Sequence, residues 1–179
     1  MPKNIKSPLT HKTSSDSPLD LIYQEFRHDS IYRQRTFIMV EGEPFHVRTR
    51  WHIAVAAANG QSVENVEVRV VSVNGKRRPE FLNPLKPASN SDQNMASDMP
   101  SAFTVPPHTP RLVGVLFWDG TQPDGEKLKL MTHTFGPLPA LPIQPSEIII
   151  EARGQNIQPV QRVFRIEPQG YGEPRFWIK

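Results

Sequence analysis

The chain has 179 residues, 19 prolines against 10 glycines, no cysteine and a formal net charge of +3. That length suits one domain with tails and is ample for a buried core, and the missing cysteine excludes disulfides, thiolate catalysis and Cys-ligated zinc. The proline load predicts many bounded strands and long turns rather than helices.

Residues 1–18 are polar and rich in Ser, Thr and Lys, which predicts a disordered N-terminal arm without the apolar stretch of a secretory signal. Residues 19–179 then read as a single β-sandwich domain. At its start, Leu19, Ile22, Tyr23 and Phe26 fit a helical stripe, while Leu19, Leu21 and Tyr23 also alternate as a strand; periodicity leaves both open. Thr36–Glu41 reads as a short strand closed by the turn signal Glu41-Gly42-Glu43-Pro44.

The longest alternating segment follows. Phe45, Val47, Thr49, Trp51, Ile53 and Val55 share one predicted face, and His46, Arg48, Arg50, His52 and Ala54 the other. The first face predicts a core strand centred on Trp51; the second predicts a basic row facing solvent, with Glu64 or Glu67 as cross-strand partners for its arginines. Asn59-Gly60 suits a turn needing positive φ, so Val63–Val73 is expected to return beside this strand as an antiparallel hairpin. Ile53–Ala58, the longest apolar run, is far too short to span a bilayer, so no transmembrane segment is expected.

Asn74-Gly75 marks a further turn before the basic knot Lys76-Arg77-Arg78-Pro79, and Glu80–Leu85 reads as a short edge strand. Residues 88–101 are a polar excursion, read as a flexible loop. Phe103–Val105, Arg111–Trp118 and Lys127–Thr132 are expected strands, the last two joined through a loop with two Asp-Gly steps. Residues 135–145 carry four prolines and predict an extended cover over an edge. Glu147–Ala152 and Val160–Glu167 are expected to pair, with Phe176–Ile178 closing the sheet.

This succession of short strands predicts an all-β fold: a two-sheet antiparallel sandwich with long Pro-rich loops. Three stretches carry a family resemblance. WHIAVAAANGQSVENVEVRVVSV (51–73) resembles the strand–turn–strand of bacterial immunoglobulin-like domains. FTVPP (103–107) followed by LVGVLFW (112–118) is similar to their middle step, and EIIIEARGQNIQPVQRVFRI (147–166) to their closing hairpin. The resemblance implies the fold and adds almost nothing on function, because fold by itself does not assign an activity.

Chemistry is sparse. His46 and His52 are six residues apart on one strand, roughly 20 Å, and cannot share a metal ion. The carboxylates Asp119, Asp124 and Glu126 lack the spacing of a calcium loop. No nucleophile elbow or phosphate-cradling glycine loop occurs, so no catalytic residue, metal or cofactor is expected. Charge is uneven: residues 31–78 hold eight Lys/Arg and four Asp/Glu, residues 79–126 two and six. The leading functional reading is an immunoglobulin-like module that binds another protein through a sheet face or edge. The alternative is an anion or nucleic-acid binder using His46, Arg48, Arg50, His52, Arg69, Lys76, Arg77 and Arg78.

Overall fold

The computed structural model describes residues 17–24, 31–88, 100–133, 136–170 and 172–179. The expectations for residues 1–16 and most of 88–101 lie outside them. Ser17 and Pro18, expected in the disordered arm, are instead fixed to the body. The buried Ser17 Oγ donates to the Gln158 carbonyl at 2.8 Å, and the Pro18 carbonyl accepts from the Ala58 N–H. Ala88 likewise donates its N–H to Leu112, so the polar excursion starts beyond it.

The described elements are almost all strands: β1 (Leu19–Ile22), β2 (Arg33–Val40), β3 (Glu43–Ala57), β4 (Val63–Val73), β5 (Phe103–Val105), β6 (Arg111–Asp119), β7 (Leu128–Leu130), β8 (Ala140–Leu141), β9 (Ser146–Arg153), β10 (Val160–Glu167) and β11 (Arg175–Ile178). They form two antiparallel sheets. One runs β1-β3-β6-β7-β8 with β2 also on β3; the other runs β11-β10-β9-β4-β5. Residues 19–22 are thus strand, not helix: pairing to Ala54–Ala57 lets Leu19 and Leu21 alternate into the core.

Between the sheets lies one apolar cluster. Trp51, Ile53 and Val55 of β3 and Val113 and Leu116 of β6 face Val66, Val68 and Val70 of β4, Ile148 and Ile150 of β9 and Phe164 of β10. Removing this surface from water is the main term holding the two sheets together. Phe164 and Phe176 stack at 5.2 Å, and Tyr23 meets Phe176 edge-on at 5.0 Å, which pins β11 to the core.

The expected β3–β4 hairpin does not form: the two strands lie in different sheets. Gly60 does adopt positive φ (68°), but the connection between them crosses the sandwich. The reason is that both strands are apolar on an inner face, and two such faces are buried equally well opposite each other as side by side. The edges of β3 are then filled by β1, β2 and β6, and those of β4 by β5 and β9.

The two tight turns do follow their residues. Glu41 and Gly42 (φ 51° and 87°) link β2 to β3, and Asn74 and Gly75 (φ 50° and 72°) link Val73 to Lys76. Positive φ at both central positions matches the right-handed twist of the flanking strands, which is why Gly and Asn serve there. Glu80–Leu85 is not an edge strand: Pro79–Phe81 forms a 3-10 turn, after which Leu85 bonds to Val68 of one sheet and Lys86 to Met131 beside the other. Within 135–145, Ala140–Leu141 adds a two-residue edge to β7, as an extended cover should.

Candidate protein-interaction surface

The ladder between β3 and β6 spans Arg48 to Val55, and the Val47 carbonyl accepts from the Gly120 N–H, so residues 43–46 of β3 pair with β2 alone. The β2–β3 hairpin therefore runs past the sheet as a two-stranded arm. Register sets its faces: Phe37 lies opposite His46 and Met39 opposite Pro44, while Ile38 lies opposite Phe45 and Val40 opposite Glu43. Both faces are apolar. Phe37, Ile38, Met39, Val40 and Phe45 are 47 to 68 % exposed. Phe45, expected inward with Trp51, points into solvent because β3 carries an extra residue, Val47, between them, which reverses the alternation and puts Phe45 on the outer face. Single exposed apolar residues are ordinary, but five adjoining ones form a patch of the kind that marks interaction sites.

At the root of the arm, β3 carries one extra residue relative to β2, since Thr36 pairs Arg48 while Phe37 pairs His46. Such a bulge breaks the alternation of side chains. It swings His46 off the row of Arg48 and Arg50 and onto the face of Thr49. There the His46 Nε2 lies 2.8 Å from Thr49 Oγ1 and 2.9 Å from the Arg48 carbonyl, an acceptor that calls for the Nε2–H tautomer. The imidazole stacks on Trp118 at 5.2 Å and meets Phe37 at 5.4 Å, so an aromatic row joins arm to body. Gly120 makes room for Trp118: a Cβ at that position would sit 2.6 Å from the indole.

Glu173, from the segment leading into β11, closes this site. Its carboxylate accepts from Thr49 Oγ1 and from the Arg35 guanidinium, with Nε at 2.8 Å. Arg33 lies 3.8 Å and His46 3.7 Å away. The Glu173 side chain is only 12 % exposed, and Thr49 is buried. A residue of the second sheet's final segment therefore ties down the hairpin of the first.

The eight cations expected to make a basic surface do not share one. His46 is turned into the Glu173 cluster and His52 is buried beside Trp51. Arg48 pairs with Asp119 at 3.0 Å, not with Glu64 or Glu67, and Arg50 stands over the Phe117 ring at 5.9 Å. Arg69 lies on β4 in the other sheet and pairs with Glu67. Arg78 lies 3.7 Å from Glu80 and over the Phe81 ring, and Lys76 and Arg77 are exposed at the turn after β4.

Asp119 is engaged within its own loop and by Arg48. Burial pushes its pKa up, but hydrogen bonds from the Thr121 hydroxyl (2.6 Å) and N–H (3.0 Å), with the Arg48 guanidinium, outweigh that and hold it below the usual aspartate value. Among the described residues, no group of three or more His, Asp and Glu is placed to hold a metal ion, and no helix is long and apolar enough to cross a membrane.

The arm and Glu173 were both missed from sequence. Four consecutive apolar residues, Phe37–Val40, directly before a turn were the available signal for the arm, because a half-buried strand would alternate there. Glu173 is 138 residues from Arg35 and sits in no motif. Compared with protein-family models, with curated proteins and with solved structures, the chain matches none.

Proposed function

We propose that the chain is a non-catalytic protein-interaction module of immunoglobulin-like fold, which binds its partner through the β2–β3 arm. The observation that carries this reading is the arm itself: five large apolar side chains exposed on both faces of a ribbon anchored by Glu173. The immunoglobulin-like part rests on strand order. β1-β3-β6 against β10-β9-β4 follows the A-B-E and G-F-C arrangement of such domains, with β5 beside β4. A strand edge that pairs with no strand among the described residues and is flanked by apolar side chains suits β-augmentation, in which main-chain bonds supply affinity and side-chain pockets supply specificity.

Two features argue against other partners. Glu41 and Glu43 sit at the arm's tip, so a membrane-inserting arm would drive two carboxylates deepest into the lipid. Anion or nucleic-acid binding is the weaker reading, because the cations it needs are divided between two sheets and several are paired with carboxylates.

A pull-down comparing three full-length forms tests the reading. The triple variant Phe37→Ser, Met39→Ser, Phe45→Ser should lose the captured protein, and Arg48→Glu with Arg50→Glu should retain it. All three arm positions are exposed, so the triple variant should unfold at nearly the wild-type denaturant concentration. Retention by the arm variant and loss by the arginine variant would overturn the proposal.

A further inference from the structure

We infer that the arm's partner is a second copy of this chain, docked by antiparallel pairing of β2 with its own two-fold mate; this deepens, and rests on, the reading of the arm as the binding surface. The backbone comes first. In a two-residue hairpin the flanking pair, here Val40 and Glu43, is hydrogen-bonded, and bonded and non-bonded positions then alternate. The Tyr32 carbonyl accepting from the His52 N–H at 2.8 Å shows that the same alternation holds at the root. Even-numbered residues of β2 therefore bond inward to β3, and Arg35, Phe37 and Met39 aim their N–H and C=O groups outward.

Among the described residues, no strand pairs with that outward edge. The charges on this edge, Arg33 and Arg35, lie at its root, and along Phe37–Val40 it carries no charge, no proline and no bulge of its own. An exposed apolar stretch of edge normally carries such devices along it. Their absence fits an edge that is covered in the working state.

Charge then selects the occupant. The tip carries Glu41 and Glu43, neither with an ion-pair partner among the described residues. At the root, Arg33 and Arg35 share the single carboxylate of Glu173, which leaves one positive charge over. An acidic tip and a basic root on one ribbon are matched by an antiparallel ribbon of the same polarity, and a second copy is one. With the two-fold axis at Ile38, Phe37 of each chain lies opposite the other's Met39, and Arg35 opposite the other's Glu41. Phe37 and Met39 then cluster on one face and Ile38 and Val40 on the other.

The test uses the full chain, which has no native cysteine. Sedimentation velocity over a concentration series should show a monomer–dimer equilibrium, weakened at least tenfold by Glu41→Lys and weakened by salt. Ile38→Cys should form a covalent dimer on mild oxidation, since residues facing each other across the axis fall within disulfide reach. Gln34→Cys, eight residues from its mate in this register, should not. Equal cross-linking of the two variants would overturn the register and with it the proposal. A wild type that stays monomeric while the Phe37, Met39, Phe45 triple variant still loses a captured protein would overturn self-pairing and leave the arm reading standing. A monomer whose capture is indifferent to that triple variant would remove both.

Discussion

Trp51→Ala should lower the unfolding free energy by about 3–5 kcal/mol, while Phe45→Ala, six residues earlier on the same strand, should change it by less than about 0.5 kcal/mol. The two residues have the same parity and the same aromatic character. What separates them is the bulge between them, which turns Phe45 to the outer face, and where β3 meets other strands. Trp51 is 1 % exposed, paired with Arg33 on one side and Leu116 on the other, and roofed by the second sheet. Truncating it loses the transfer energy of a large side chain and leaves a cavity that two sheets cannot close by small shifts. Phe45 has only β2 beside it and no layer above, so its removal forfeits little burial. Since whole domains are stable by about 5–15 kcal/mol, the tryptophan change consumes a large share of the total. Urea melts of both variants measure it. Equal losses would mean that the arm packs against the body.

Glu173→Ala should destabilise the protein by about 2–3 kcal/mol, less than the 3–5 kcal/mol of a fully buried pair because the Arg35 side chain is about a third exposed. The loss arises mainly from what is left behind: guanidiniums that have given up hydration without a counter-charge, and a Thr49 hydroxyl without its acceptor. Glu173→Gln keeps an acceptor for Thr49 and one arginine, and should cost less than the alanine. The damage should also be local. Because Glu173 holds the arm's root to the segment before β11, amide exchange at residues 33–46 should accelerate more than at Val66–Val70. Uniform acceleration would assign Glu173 to the general stability of the sandwich instead.

Much of the fold was legible in the residues. The Ile148–Ile150 run and the Val160–Ile166 alternation specified β9 and β10, and the turn residues between them made their pairing legible. Arg111–Trp118 and its return through Leu128 were equally clear, and so was Trp51 as a core residue. Other features depended on partners far along the chain. Whether β3 and β4 pair or face each other is not encoded in Asn59-Gly60, which serves either a hairpin or a crossing. The basic row failed for a local reason: alternation assumes an unbroken pleat, and the bulge opposite Thr36 and Phe37 rotates His46 out of the row. A bulge has no fixed residue signature, so strict parity could not foresee it. The acid that completes the site arrives 124 residues after Thr49, through a topology that no local pattern specifies.

The central claim is that the arm, and not the basic row, is the surface that becomes covered. Hydrogen–deuterium exchange of the full chain, compared between its free and its assembled state, tests this most directly. New protection is expected at residues 35–45, with little change at 48–52 and 76–78. Protection at 48–52 and 76–78 with an unchanged arm would contradict it.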